Sequence, residues 1–160
     1  MRKQLLTLGL VMVFAIVGAN IALAQGTDTE DLDVTATVVA SCRITSTTTV
    51  AFGTYDPTDA AANDNGAGDI NFRCVRGTDY EVYIVGTRTM VGGTNADDLD
   101  FELYSDAGRT AVFEDASPST VAGTAASNAI ITTDVYGRIA ALQDVTVDSY
   151  STTLTATVEW

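Results

Sequence analysis

The sequence predicts an all-β protein, a single β-sandwich, and three observations carry that expectation. Short runs with apolar side chains on alternate positions recur along the chain. Clusters of Gly, Asp, Asn and Ser separate them, and Thr and Val are abundant while Leu and Glu are sparse. Branched side chains suit a pleated, half-buried surface, and a period of two puts one face of each strand inside. Regular turns between such strands point to a sandwich. No convincing amphipathic helix competes; the nearest stretch, "AASNAIITTD", is short.

In chain order, the first element is expected to be removed. Arg2 and Lys3 precede the uncharged run "LLTLGLVMVFAIVGANIALA", and Ala22-Leu23-Ala24 offers the small-x-small pattern of a signal-peptidase site. A membrane anchor is the rival, since a run of this length can span a bilayer. The cleavage site and the abrupt switch to "QGTDTEDLD" favour an exported chain with residues 1–24 as signal peptide and no membrane insertion after cleavage. The exported part carries six arginines against 21 acids, a formal charge of −15. Such a surface repels nucleic acid and anionic lipid and favours solubility outside the cell.

The next element is "DLDVTATVVASC", residues 31–42, with Leu32, Val34, Ala36, Val38 and Ala40 on one face. Further strands are expected in "DINFRCV" (69–75, facing in with Ile70, Phe72 and Cys74) and "YEVYIVG" (80–86, with Tyr80, Val82 and Ile84). "LDFELYS" (99–105) offers Leu99, Phe101 and Leu103, and the final run "STTLTATVEW" offers Leu154, Ala156, Val158 and Trp160. Thr-Ala-Thr-Val stands at 35–38 and again at 155–158, so the two ends carry similar strands.

Cys42 and Cys74 are the only cysteines. An even number in an exported chain suggests a disulfide, and two cysteines without a histidine cannot make the usual zinc set. Closing a loop of this size is worth about 3 to 4 kcal/mol in the chain-entropy treatment.

Catalysis finds little support. A Ser-His-Asp or Cys-His arrangement needs a histidine, and there is none. Paired carboxylates could serve a glycosidase, yet most acids lie in loops or alternate outward, as Asp100 and Glu102 do. For calcium, "NDNGAGD" aligned on Gly66 places Asn63 and Asn65 well, but Ala61 and Phe72 stand where an EF-hand loop needs acids. The tyrosines 55, 80, 83, 104, 136 and 150 are spread along the chain, where core packing is their simplest task. The expectation is a non-enzymatic protein with no cofactor and no metal.

The two ends belong together in this reading. The last strand runs to Trp160 with none after it, so an immunoglobulin-like sandwich of six strands would lack its seventh. Residues 32–40 are then either an ordinary first strand of their own domain or a strand given to another molecule.

A resemblance favours the second. "SCRI" (41–44), "FGTYDP" (52–57), "FRCVRGTDYEVYI" (72–84) and "GTRTM" (86–90) are followed by "LDFELYSDAGRTAVF" (99–113), "VYGRI" (135–139) and the closing "YSTTLTATVEW". In this order and spacing the chain resembles the spore coat protein U domain family, the pilins of the archaic chaperone–usher pathway. Two turns depart from the family pattern: Ala140 stands where Pro is frequent, and Asp148-Ser149 where Gly is favoured.

The resemblance implies donor-strand complementation, for which chaperone–pilin pairs are a standard example. Residues 25–40 would be an N-terminal extension whose donor strand presents Leu32, Val34, Ala36 and Val38 to a neighbour, and residues 41–160 the incomplete sandwich. A periplasmic chaperone, an outer-membrane usher and identical or related subunits would be the partners. The product would be a cell-surface pilus supporting adhesion and biofilm formation, or a spore coat. By alternation, Phe72, Val82, Leu103 and Leu154 are expected to line the acceptor groove, and the resemblance gives Trp160 a part in chaperone docking. A chain of this length leaves no room for a separate adhesin domain. The rival is a self-contained secreted module that binds carbohydrate or calcium.

Overall fold

A computed structural model describes residues 26–160. The expected signal peptide, residues 1–24, lies outside the described residues. Contacts divide the chain between Ala36 and Thr37. Residues 26–41 join no ladder and all are exposed. The strand expected at 32–40 is therefore not formed: a lone strand leaves its main-chain groups to water and gains nothing from its apolar face.

Nine strands follow, and no helix occurs among the described residues. They are β1 (Cys42–Thr47), β2 (Ala67–Cys74), β3 (Asp79–Val85), β4 (Thr89–Gly92) and β5 (Asp98–Tyr104), then β6 (Ala122–Thr124), β7 (Ile131–Ile139), β8 (Tyr150–Ser151) and β9 (Thr155–Glu159). Six form one sheet in the order β1-β2-β7-β5-β4-β8, and three form a second in the order β6-β3-β9. Every pairing is antiparallel. The fold is the all-β sandwich that alternation predicts, with one sheet that curls. The count exceeds the expected six because β4, β6 and β8 are short pieces of four, three and two residues. Pieces so short carry no readable alternation.

Three expected runs take their predicted places. Ile70, Phe72 and Cys74 on β2, Val82 and Ile84 on β3, and Leu99, Phe101 and Leu103 on β5 are all buried, while the acids Asp98 and Asp100 face out. The run 151–160 is not one strand. It breaks at residues 152–154, so that β8 ends the large sheet and β9 begins in the small one. A chain that changes sheets must leave one ladder before joining the next.

The longest strand, β7, lies between β2 and β5 at the centre of the large sheet. Thr133, Val135, Gly137 and Ile139 are its buried positions, and the small Thr and Gly blunt its apolar signal. Gly137 is required by a close approach: an added Cβ would stand 2.5 Å from Phe52 Cζ and 2.7 Å from Cε1. Phe52 in turn meets Phe101 edge-on at 5.9 Å, a favoured aromatic geometry.

Cys42 and Cys74 are directly opposite on β1 and β2 and form a disulfide. The turn 75–78 carries the chain into β3, with Thr78 N–H donating to the Val75 carbonyl at 3.0 Å. Cys42, Cys74, the start of β3 and the end of β9 thus share one end of the sandwich, here called the disulfide end. At the other end Asp64 anchors the loop after residue 55. It takes a two-pronged pair from Arg138 at 2.6 and 2.9 Å, with Arg109 Nε 3.4 Å away.

Candidate functional site

The sandwich is not closed. A cleft of about 1120 Å³ runs into its core, where interiors normally hold few voids larger than a water molecule. Ile70 on β2, Leu99, Phe101 and Leu103 on β5, Val135 and Ile139 on β7, and Ile84 on β3 form its floor. All point inward because their strands alternate. One wall is residues 47–55, the other residues 145–156.

Neither wall completes a ladder. Along the first, the Thr48 N–H donates to the Asp69 carbonyl at 2.9 Å, and no strand continues beyond it. The carbonyls of Phe52 and Thr54 are held instead by the Asn63 side-chain amide at 3.1 and 3.0 Å. Along the second, residues 152–154 form no strand. β9 pairs only with β3, so its outer edge is open among the described residues. Main-chain donors and acceptors without partners are costly when buried, and here both segments border the cleft.

Polar anchors tether the walls to neighbouring segments. The Tyr55 hydroxyl donates to the Ala140 carbonyl at 2.8 Å and accepts the Gln143 N–H at 2.9 Å. Asp97 accepts the Thr146 N–H and hydroxyl at 3.1 and 2.5 Å. Asp148 accepts the Thr94 and Asn95 N–H groups at 2.7 and 3.2 Å. The Thr94 N–H, followed by that of Ser149, lowers the Asp148 pKa, as N–H donors stabilise a carboxylate. Asp64 is likewise held below its ordinary range, chiefly by its bond from Arg138. These carboxylates are structural tethers at the rim. What the cleft offers is apolar contact and main-chain hydrogen bonding, and no group of three or more His, Cys, Asp or Glu able to hold a metal occurs among the described residues.

The residues expected in a groove separate into two pairs. Leu103 and Leu154 line the cleft. Phe72 and Val82 are wholly buried beneath it in the core, Phe72 against Tyr80 at 5.0 Å, and neither lines it. Alternation identifies an inward face but not which part of that face stays open. The walls, with Val50, Phe52, Val145 and Val147, escape sequence reasoning because they are irregular; Val135 and Ile139 were missed as well, although the spacing in "VYGRI" could have marked them as inward residues. Leu32 and Val34 are both 86% exposed and Val38 79%, with Ala36 also exposed. Trp160, just past β9, is 58% exposed and lies outside the cleft lining.

An antiparallel sandwich with an apolar cleft between the open edge of β9 and the irregular segment after β1 defines the class as an immunoglobulin-like all-β sandwich domain. The family model for the Spore Coat Protein U domain matches residues 28–157, and the chain belongs to that family. No curated protein shows significant similarity to it.

Proposed function

We propose that this chain is a structural, non-enzymatic fibre subunit that polymerises by donor-strand complementation. Residues 32–40 of one copy enter the cleft of the next and complete its sandwich. The observation that carries this reading is the open cleft between the unpaired edge of β9 and the irregular segment after β1, in a chain that also presents an unused strand-patterned segment. Main-chain bonds to the cleft edges supply affinity, and alternate side chains supply register. Burying Leu32, Val34 and Val38 contributes on the order of 5 to 9 kcal/mol before the cost of ordering the segment. A slip of one residue would present Asp33, Thr35 and Thr37 to the apolar floor.

Membership of the family supports the rest of the scheme. The subunit is exported, kept from premature assembly by a periplasmic chaperone that occupies the cleft, and added at an outer-membrane usher to a surface pilus for adhesion and biofilm formation. Trp160, exposed at the end of β9, is available for chaperone docking.

The test is assembly of the purified exported chain. It should form ladders in SDS that collapse on boiling, and deletion of residues 25–39 should abolish them. A monomer in both cases would sink the proposal and favour a self-contained carbohydrate- or calcium-binding module.

A further inference from the structure

The disulfide end concentrates positive charge in an otherwise acidic chain. Arg43 and Arg73 are direct cross-strand partners on β1 and β2, both exposed. Like charges placed opposite each other destabilise a sheet. Arg76 follows in the adjoining turn, also exposed. None of the three takes part in an ion pair among the described residues, whereas Arg88, Arg109 and Arg138 each face a carboxylate within 4 Å. On the neighbouring sheet, Asp79 accepts the Thr124 hydroxyl and Glu159 the Tyr83 hydroxyl. Half of the exported chain's arginines thus stand together without an internal partner.

The opposite end, where Arg109 and Arg138 share Asp64, also carries carboxylates outside any ion pair. Asp56 and Asp59 follow wall residue Tyr55, and Asp144 precedes wall residue Val145, around the cleft mouth. All three are exposed, and none is in an ion pair among the described residues. Their hydrogen bonds are local, Asp56 with Thr58 and Asp59 with the Ala61 N–H.

We propose that the arginine-bearing end of one copy, Arg43, Arg73 and Arg76, docks on the carboxylates Asp56, Asp59 and Asp144 at the cleft mouth of the next copy. This rests on the strand-exchange reading above. Only Ser41 separates the donated segment from Cys42, so at about 3.5 Å per residue the folded body follows its strand onto the cleft mouth without slack. Charge also chooses the direction of insertion. A donor antiparallel to β9 leaves at the mouth bearing Asp56 and Asp144, and so brings unlike ends together. A parallel donor would leave at the disulfide end and set two arginine groups face to face. The collar steers each subunit onto the growing end and fixes its polarity.

Ladder growth of the purified exported chain reads this out. Arg43→Glu with Arg73→Glu, and separately Asp56→Arg with Asp144→Arg, should each slow growth about tenfold or more at about 20 mM salt. The deficit should vanish near 1 M salt, where such charges are screened. A chain carrying all four reversals should recover to within about threefold of the unaltered rate, because every joint regains opposite charges. Thermal midpoints of the monomers confirm folding; should a reversal fail to fold, Arg43→Gln with Arg73→Gln replaces it, with a smaller slowing expected. Unaltered rates for the pair variants at low salt overturn the proposal. So does a fourfold variant as slow as either pair. Salt-insensitive ladders refute the collar alone, while no ladders from the unaltered chain refutes strand exchange and the collar with it.

Discussion

Consider Val34→Asp against Thr35→Asp, adjacent changes that put the same charge on opposite faces of the segment we propose is donated. Val34 is 86% exposed in the single chain, so almost all its side chain is available for burial, worth about 1.5 to 3 kcal/mol. The variant forfeits that. It must also place a carboxyl against a floor that includes Ile70, Leu103 and Val135. The cheaper route at pH 7 is to bind a proton, which for an ordinary Asp pKa near 3.9 costs about 4 kcal/mol. Together these give about 6 kcal/mol, or roughly four decades in affinity. Thr35→Asp faces away and should stay within about 0.5 kcal/mol. The assay is competition: each variant segment, as a synthetic peptide of residues 30–41, is titrated against ladder formation. Lowering the pH to about 4.5 cuts the proton cost below about 1 kcal/mol, so the Val34→Asp peptide should regain about two decades while the Thr35→Asp peptide barely moves. Equal potency of the two peptides at pH 7, or no pH recovery, would refute the register and the apolar cleft as its receptor.

Removing the disulfide by Cys42→Ala with Cys74→Ala opens a loop of sequence separation 32, and unfolding should lose about 3.7 kcal/mol by the chain-entropy treatment. Calorimetry should find the midpoint lower by roughly 10 °C; a loss under about 1 kcal/mol would mean the reduced chain is already restrained. Gly137→Ala drives a Cβ into the Phe52 ring at 2.5 Å and should cost about 1 to 3 kcal/mol in urea titration, whereas Gly26→Ala, with nothing within 4 Å, should be neutral. Asp64 has a lowered folded pKa, owing first to Arg138. Its contribution is therefore present above the ordinary value near 3.9 and is lost as pH falls through the lowered one. With a side chain 42% exposed, screening keeps that contribution below about 1 kcal/mol. Asp64→Asn should flatten the acid limb of stability below about pH 4, and an unchanged limb would show that other carboxylates dominate it.

Much of the core was legible because alternation is a local property. Ile70, Phe72, Val82, Ile84, Leu99, Phe101 and Leu103 could be placed inside from their own neighbours in sequence, and each is buried. The central strand was harder: β7 fills its inward positions with Thr133 and Gly137, residues chosen for space rather than hydrophobicity. The last run concealed a change of sheet at 152–154, since a bend between two sheets leaves the period of two almost unbroken. In the cleft, Leu103 and Leu154 were recognisable as inward residues, as were Phe72 and Val82. Which of the four lie beneath the opening depends on where the walls part.

The sequence by itself determined the fold class, the cysteine pair available for bonding, and the parity of residues 32–40, because side-chain type and a two-residue period settle these locally. Only the tertiary structure decided that the edge of β9 and the chain after β1 stay unpaired. It also decided which segments Asp97, Asp148 and Tyr55 tether beside the cleft, and that three arginines gather at the end opposite three carboxylates that join no ion pair among the described residues. Each of these depends on residues tens of positions apart being brought together, and which strand edges find partners is a balance of loop closure and packing over the whole chain.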